Sequence, residues 1–140
     1  MKLAVLISVL IASLFAAVDV QMTVRGKLTC STPFNYRITL WEKDKWWHDL
    51  FGKLKTAHSN GSATYEISGM AKETDASWFE SEVEPWMTIE HTCGSVNACI
   101  CKELGDHSED FETTVDVNLE NPGLEHCKMC NDAVEQRGNE

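Results

Sequence analysis

The chain has 140 residues, a formal net charge of −10 and six cysteines. That length suits one domain with a core of its own. Such acidity argues against nucleic acid or anionic lipid as a partner held by Coulomb attraction, and leaves basic partners and metal cations.

The chain starts with a single positive residue, Lys2, and then runs apolar over residues 3–18, broken only by Ser8 and Ser13. This stretch is short for a membrane span and has the layout of a secretory signal. Cleavage is expected after Ala17, which makes residues 1–17 the signal peptide and residues 18–140 a secreted, soluble domain. Asn60-Gly61-Ser62 is an acceptor for N-linked sugar, so Asn60 is expected to be glycosylated on an exposed loop.

Strand signals dominate the remainder. Met22, Val24, Leu28 and Cys30 alternate with Thr23, Arg25, Lys27 and Thr29, the period-2 pattern of a half-buried strand. Pro33 breaks it, and Tyr36, Ile38 and Leu40 resume it. Residues 42–49, charged and carrying Trp46-Trp47, read as a loop, with a short strand expected around residues 53–57. Asn60-Gly61 is a turn dipeptide, and Ala63, Tyr65 and Ile67 alternate after it, which suggests a hairpin. Residues 71–84 are the one candidate helix, ended by Pro85. Met87, Ile89, His91 and Cys93 then share a strand face. Phe111, Thr113, Val115, Val117 and Leu119 share another, stopped by Asn121-Pro122-Gly123. The polar tail after Cys130 is expected to fray. Together these elements predict an all-β antiparallel sandwich with room for one short helix.

In order along the chain, five segments resemble those of the nematode transthyretin-like family. They are the run 24–30 with Pro33, the run 38–44, the Thr56–Gly61 segment followed by Tyr65, Ile67 and Gly69, the proline-led strand 85–93 ending His-x-Cys, and residues 117–119 followed by Cys127. The resemblance covers nearly the whole mature chain and implies a small secreted sandwich of the transthyretin (prealbumin) type, without implying an activity. Vertebrate relatives carry thyroid hormone in a channel between subunits. A related enzyme branch hydrolyses 5-hydroxyisourate, using a histidine near the start and a Tyr-Arg-Gly-Ser ending. Here no histidine precedes His48 and the chain ends Gln136-Arg137-Gly138-Asn139-Glu140, which departs from that enzyme. Two further departures are a short interval between Cys101 and Phe111, where a strand is expected, and the added pairs Cys99-x-Cys101 and Cys127-x-x-Cys130.

The cysteines carry most of the chemistry. Cys99, Cys101, Cys127 and Cys130, with His91 and His126, have the residue types of a zinc shell. An oxidising compartment consumes such thiolates as disulfides, so no metal is expected, and His91 is read as a core histidine bonded to backbone. The Cys127-x-x-Cys130 pair lacks the βαβ context of a thioredoxin site. No Gly-x-Ser-x-Gly elbow is present, and Glu80, Glu82 and Glu84 read as a solvated face. All six cysteines, Cys30, Cys93, Cys99, Cys101, Cys127 and Cys130, are therefore expected in disulfides. Of fifteen pairings, the expected kind ties Cys30 to one of the 93–101 group and the rest of that group to Cys127 and Cys130. Trp46, Trp47 and Trp78 are candidates for an exposed aromatic patch. The functional expectation is a non-enzymatic extracellular binding or adaptor protein without cofactor, its partner a protein or a small apolar ligand. The alternatives are a carrier of a small hydrophobic ligand and, behind it, a hydrolase. Oligomeric state is left open.

Overall fold

The computed structural model describes residues 18–44, 48–73 and 82–138. Residues 1–17, expected as a signal peptide, the Trp46-Trp47 pair and Trp78 lie outside these residues. Among the described residues nine strands run in chain order: β1 (Val18–Thr29), β2 (Phe34–Lys43), β3 (His48–Lys53), β4 (Ala57–Ser59), β5 (Ser62–Glu73), β6 (Pro85–His91), β7 (Ala98–Glu103), β8 (Phe111–Thr114) and β9 (Val117–Asn118). A 3-10 turn, Cys93–Ser95, precedes β7, and a helix, α1 (Lys128–Arg137), follows as the last described element.

The strands form two packed sheets. In the first, β1 is central, antiparallel to β5 along its whole length and parallel to β8 and β9 on its other side. In the second, the order is β3-β2-β6-β7, with β4 following β3 along the same side of β2, and every pair is antiparallel. The sandwich is thus antiparallel except where β8 and β9 meet β1. Inward alternate residues make the core: Met22, Val24 and Leu28 from β1, Ile38 and Leu40 from β2, Tyr65 and Ile67 from β5, Met87 and Ile89 from β6.

Among the described residues, sheet two is covered on much of both faces and sheet one on its inner face. The outward residues Arg37, Thr39 and Trp41 of β2, and Thr88 and Glu90 of β6, are buried along with the inward ones. The cover is α1, whose Met129 and Ala133 pack on Trp41. The outer face of sheet one instead carries solvated polar pairs, such as Arg25 between Glu66 and Glu112.

Several local expectations are corrected. The Asn60-Gly61 turn does not close a hairpin: β4 pairs with β2 and β5 with β1, so the turn carries the chain from one sheet to the other. The Cys30 N–H donates to the Gly61 carbonyl at 2.9 Å and pins that crossing. The candidate helix over 71–84 is replaced at both described ends. Residues 71–73 finish β5, and Val83 forms an isolated bridge with His107, while 74–81 fall outside the described residues. The strand expected around 53–57 is two strands flanking that interval, β3 and β4. The tail expected to fray is α1. A ten-residue polar helix with no side-chain N-cap bond is marginal by itself, and here disulfides and the Trp41 contact hold it.

Candidate functional site

The outer face of sheet two is built from cross-strand rows fixed by register. One row is Arg37, Glu90 and Cys99; the next is Thr39, Thr88 and Cys101; the third is Trp41, Trp86 and Glu103. Cys99 and Cys101 share this face because they are two apart on a strand, while Ile100 between them turns into the core. Residues 98–103 had no strand assigned from sequence. The helix presents Cys127 at its N-cap and Cys130 in its first turn. Sheet and helix meet in the pairs Cys99–Cys130 and Cys101–Cys127, with Cα separations of 5.8 and 5.9 Å. Cys30–Cys93 lies just beyond the Cys99 end of these rows, joining the loop after β1 to the turn after β6. All six cysteines are paired.

The rows carry polar chemistry under cover. Arg37 Nε lies 3.7 Å from Glu90 Oε2, both side chains being almost wholly buried. Trp41 Nε1 donates to Thr88 Oγ1 at 2.9 Å. His48 Nδ1 stands 2.9 Å from Asp132 Oδ2, which ties β3 to the helix from the far side. A buried ion pair is costly to desolvate and restricts what can replace either partner.

Beside the Arg37–Glu90 pair a cleft of ≈ 220 Å³ opens, walled by Asn35, Thr56, Asn97, Cys99, His126 and Val134. A neighbouring depression of ≈ 400 Å³ shares Arg37 and Thr56 and adds Lys53 and Lys55. The Lys53 ammonium is held below the usual lysine value by desolvation first and by Arg37 second, with Glu90 opposing. In a chain of net charge −10, this is a local concentration of cations. The alternating pattern of β2 placed Arg37 on the outward face, but nothing in the sequence indicated that it would be buried there.

His91 is buried at the cleft's edge, and its Nδ1 accepts the Cys93 N–H at 3.2 Å. Desolvation holds its pKa below the usual histidine value. The sulfurs of Cys101, Cys127 and Cys130 lie within 4.8 Å of one another, as do the ligand atoms of Cys30, Cys93 and Glu120. Each of these cysteines is spent in a disulfide and offers no thiolate to a metal. Asn60 is exposed at the crossing turn. Among the described residues, no helix is long and apolar enough to cross a membrane.

The architecture defines the class: a two-sheet sandwich of transthyretin type, closed by a disulfide between the end of β1 in one sheet and the end of β6, a central strand of the other. The chain belongs to the transthyretin-like family, whose model (TTR-52) matches residues 25–105, more than half of its length. That match runs from within β1 to just past β7 and leaves out α1, Cys127 and Cys130. No curated protein and no solved structure matches the chain.

Proposed function

We propose that the protein is a secreted transthyretin-like protein of the nematode type, glycosylated at Asn60, and that it acts as a non-enzymatic extracellular binding or adaptor protein. Its recognition surface is the cleft between α1 and the outer face of sheet two. The observation that carries this reading is the cleft itself: a depression of mixed lining, more apolar than polar, over a buried ion pair, one wall held by two disulfides. Such a preformed, crosslinked wall lowers the ordering cost of binding. Secretion is supported by the apolar leader and by three disulfides, a number that fits an oxidising compartment.

A partner that binds here touches Val134, an exposed apolar residue of α1 at the cleft's rim. Val134→Arg leaves the core and the disulfides in place. Affinity capture from extracellular fluid is expected to recover a partner with the native protein and to lose it with Val134→Arg. Equal recovery by both, or by neither, would remove the cleft from the proposal. An apolar cargo is the alternative occupant, and it would have to leave Asn35 and Asn97 hydrated or supply them with partners. Native mass spectrometry checks that alternative: a small molecule co-purifying with the chain would favour the carrier.

A further inference from the structure

The two disulfides beneath α1 touch each other. Cys101 Sγ and Cys130 Sγ, which belong to different bonds, are 3.5 Å apart. That is contact distance for two sulfurs and lies within the range from which a thiolate attacks a neighbouring disulfide. Burial sorts the four sulfurs into two kinds. Cys101 and Cys130, the pair in contact, are buried. Cys99 and Cys127, the outer ends of the two bonds, are half-buried, and Cys99 also forms part of the cleft wall.

This arrangement makes two routes converge. An external thiolate that attacks Cys99 breaks Cys99–Cys130, and the electron pair goes to Cys130. The Cys130 thiolate faces Cys101 and attacks it, forming Cys101–Cys130 and expelling Cys127 as thiolate. Attack from outside at Cys127 instead breaks Cys101–Cys127 and leaves the thiolate on Cys101. It attacks Cys130 and expels Cys99. With a dithiol as reductant, its second thiol resolves the mixed disulfide and departs as a cyclic disulfide. The dithiol has then given up two electrons, and the protein holds two thiols and one fewer disulfide in this group. A buried thiolate in apolar surroundings is disfavoured relative to one near water, which drives each route outward.

We propose that Cys99, Cys101, Cys127 and Cys130 form a thiol–disulfide exchange site for dithiol reductants, whose two-electron-reduced form holds a Cys101–Cys130 disulfide and presents Cys99 and Cys127 as thiols. In that form α1 stays bonded to β7, and the cleft wall gains a thiol able to form a mixed disulfide with a partner.

The test uses the full native protein and dithiothreitol below one equivalent, followed by a quench with N-ethylmaleimide and peptide mapping. Fragmentation must place the label between Cys99 and Cys101, which only Ile100 separates. The expected species that has lost one disulfide carries label on Cys99 and Cys127 and retains a linked Cys101–Cys130 peptide. Label on any other pair of cysteines overturns the proposal. Cys99→Ser gives an independent reading without reductant: the expected product has Cys127 free. Retention of Cys101–Cys127 with Cys130 free would be incompatible with exchange. If that variant does not fold, the map of the native protein still decides.

Discussion

The Tyr65 hydroxyl donates to the Val115 carbonyl at 2.7 Å, directly over Gly26. Tyr65 and Gly26 face each other across the β1–β5 ladder, and the chain between β8 and β9 bends over the gap that the missing side chain leaves. A Cβ on Gly26 would stand 1.8 Å from the Val115 oxygen and 2.8 Å from the Tyr65 oxygen. Gly26→Ala must therefore push backbone apart and is expected to cost about 3 kcal/mol, the upper end of ordinary overpacking. Tyr65→Phe only removes the hydroxyl and is expected to cost about 1–2 kcal/mol. Urea denaturation of the two variants checks the order; a Gly26→Ala protein as stable as the native one would contradict the close approach.

Cys30–Cys93 spans 63 residues and joins the two sheets. Replacing both cysteines by alanine is expected to destabilise the fold by about 4 kcal/mol, the cost of reopening a loop of that size in the chain-entropy account. The denaturant midpoint measures it. A loss below about 1 kcal/mol would mean that packing alone closes this end.

Glu42 is almost completely buried, with its carboxylate accepting the Glu84 N–H at 3.2 Å. Desolvation raises its pKa from the usual 4.5 to about 7, with smaller contributions from Glu73, Asp44 and Glu84 and an opposing one from that hydrogen bond. The folded state thus holds the proton more tightly than the unfolded chain. The associated stability is complete below about pH 4.5 and is lost as pH rises through about 7. The loss is of the order of 3 kcal/mol. Glu42→Gln is expected to flatten this slope and to raise the melting temperature at pH 8 but not at pH 4. A gain of equal size at both pH values would remove ionisation as the cause.

His91 supplies the opposite slope. Burial lowers its pKa, and its Nδ1 already accepts a backbone N–H, so the neutral ring is the one that fits. Its contribution is present above the usual value of 6.5 and is lost as pH falls through the lower folded value. The ring's NMR titration is expected to have a midpoint below 6.5; a midpoint at or above it would contradict the buried acceptor role.

Asn60 is exposed at the turn between the sheets, where Gly61 adopts a φ of 139°. Expressed through a eukaryotic secretory route, the chain is expected to carry one N-glycan that Asn60→Gln removes. Intact mass before and after glycosidase treatment reads this directly, and an unmodified secreted chain would count against the assignment.

Much of the sandwich was legible because burial on one face of a strand writes itself into alternate residues. Met22, Val24 and Leu28, then Ile38 and Leu40, then Met87 and Ile89, were assigned to one side by period alone, and that side is the core. The Asn60-Gly61 turn was legible as a turn, but its role was not. A two-residue turn between alternating runs looks the same locally whether the strands pair with each other or with strands elsewhere. The C-terminal helix was hidden for a different reason: its apolar contact is little more than Met129 and Ala133 on Trp41, too small a stripe to produce a helical hydrophobic pattern.

The sequence by itself determined that the chain alternates as a two-sheet protein, that Gly26 interrupts an inward row, and that the cysteines are even in number behind an apolar N-terminal run. Those properties are local, set by side-chain chemistry and strand period. Only the tertiary structure decided which cysteines meet, that α1 packs on Trp41 while Arg37 and Glu90 are buried beneath the cleft beside it, and that Cys101 and Cys130 sit in contact. Each of these depends on strand register and on a helix returning across a sheet from far along the chain, and through-space placement of that kind leaves no periodic signature in the residues that make it.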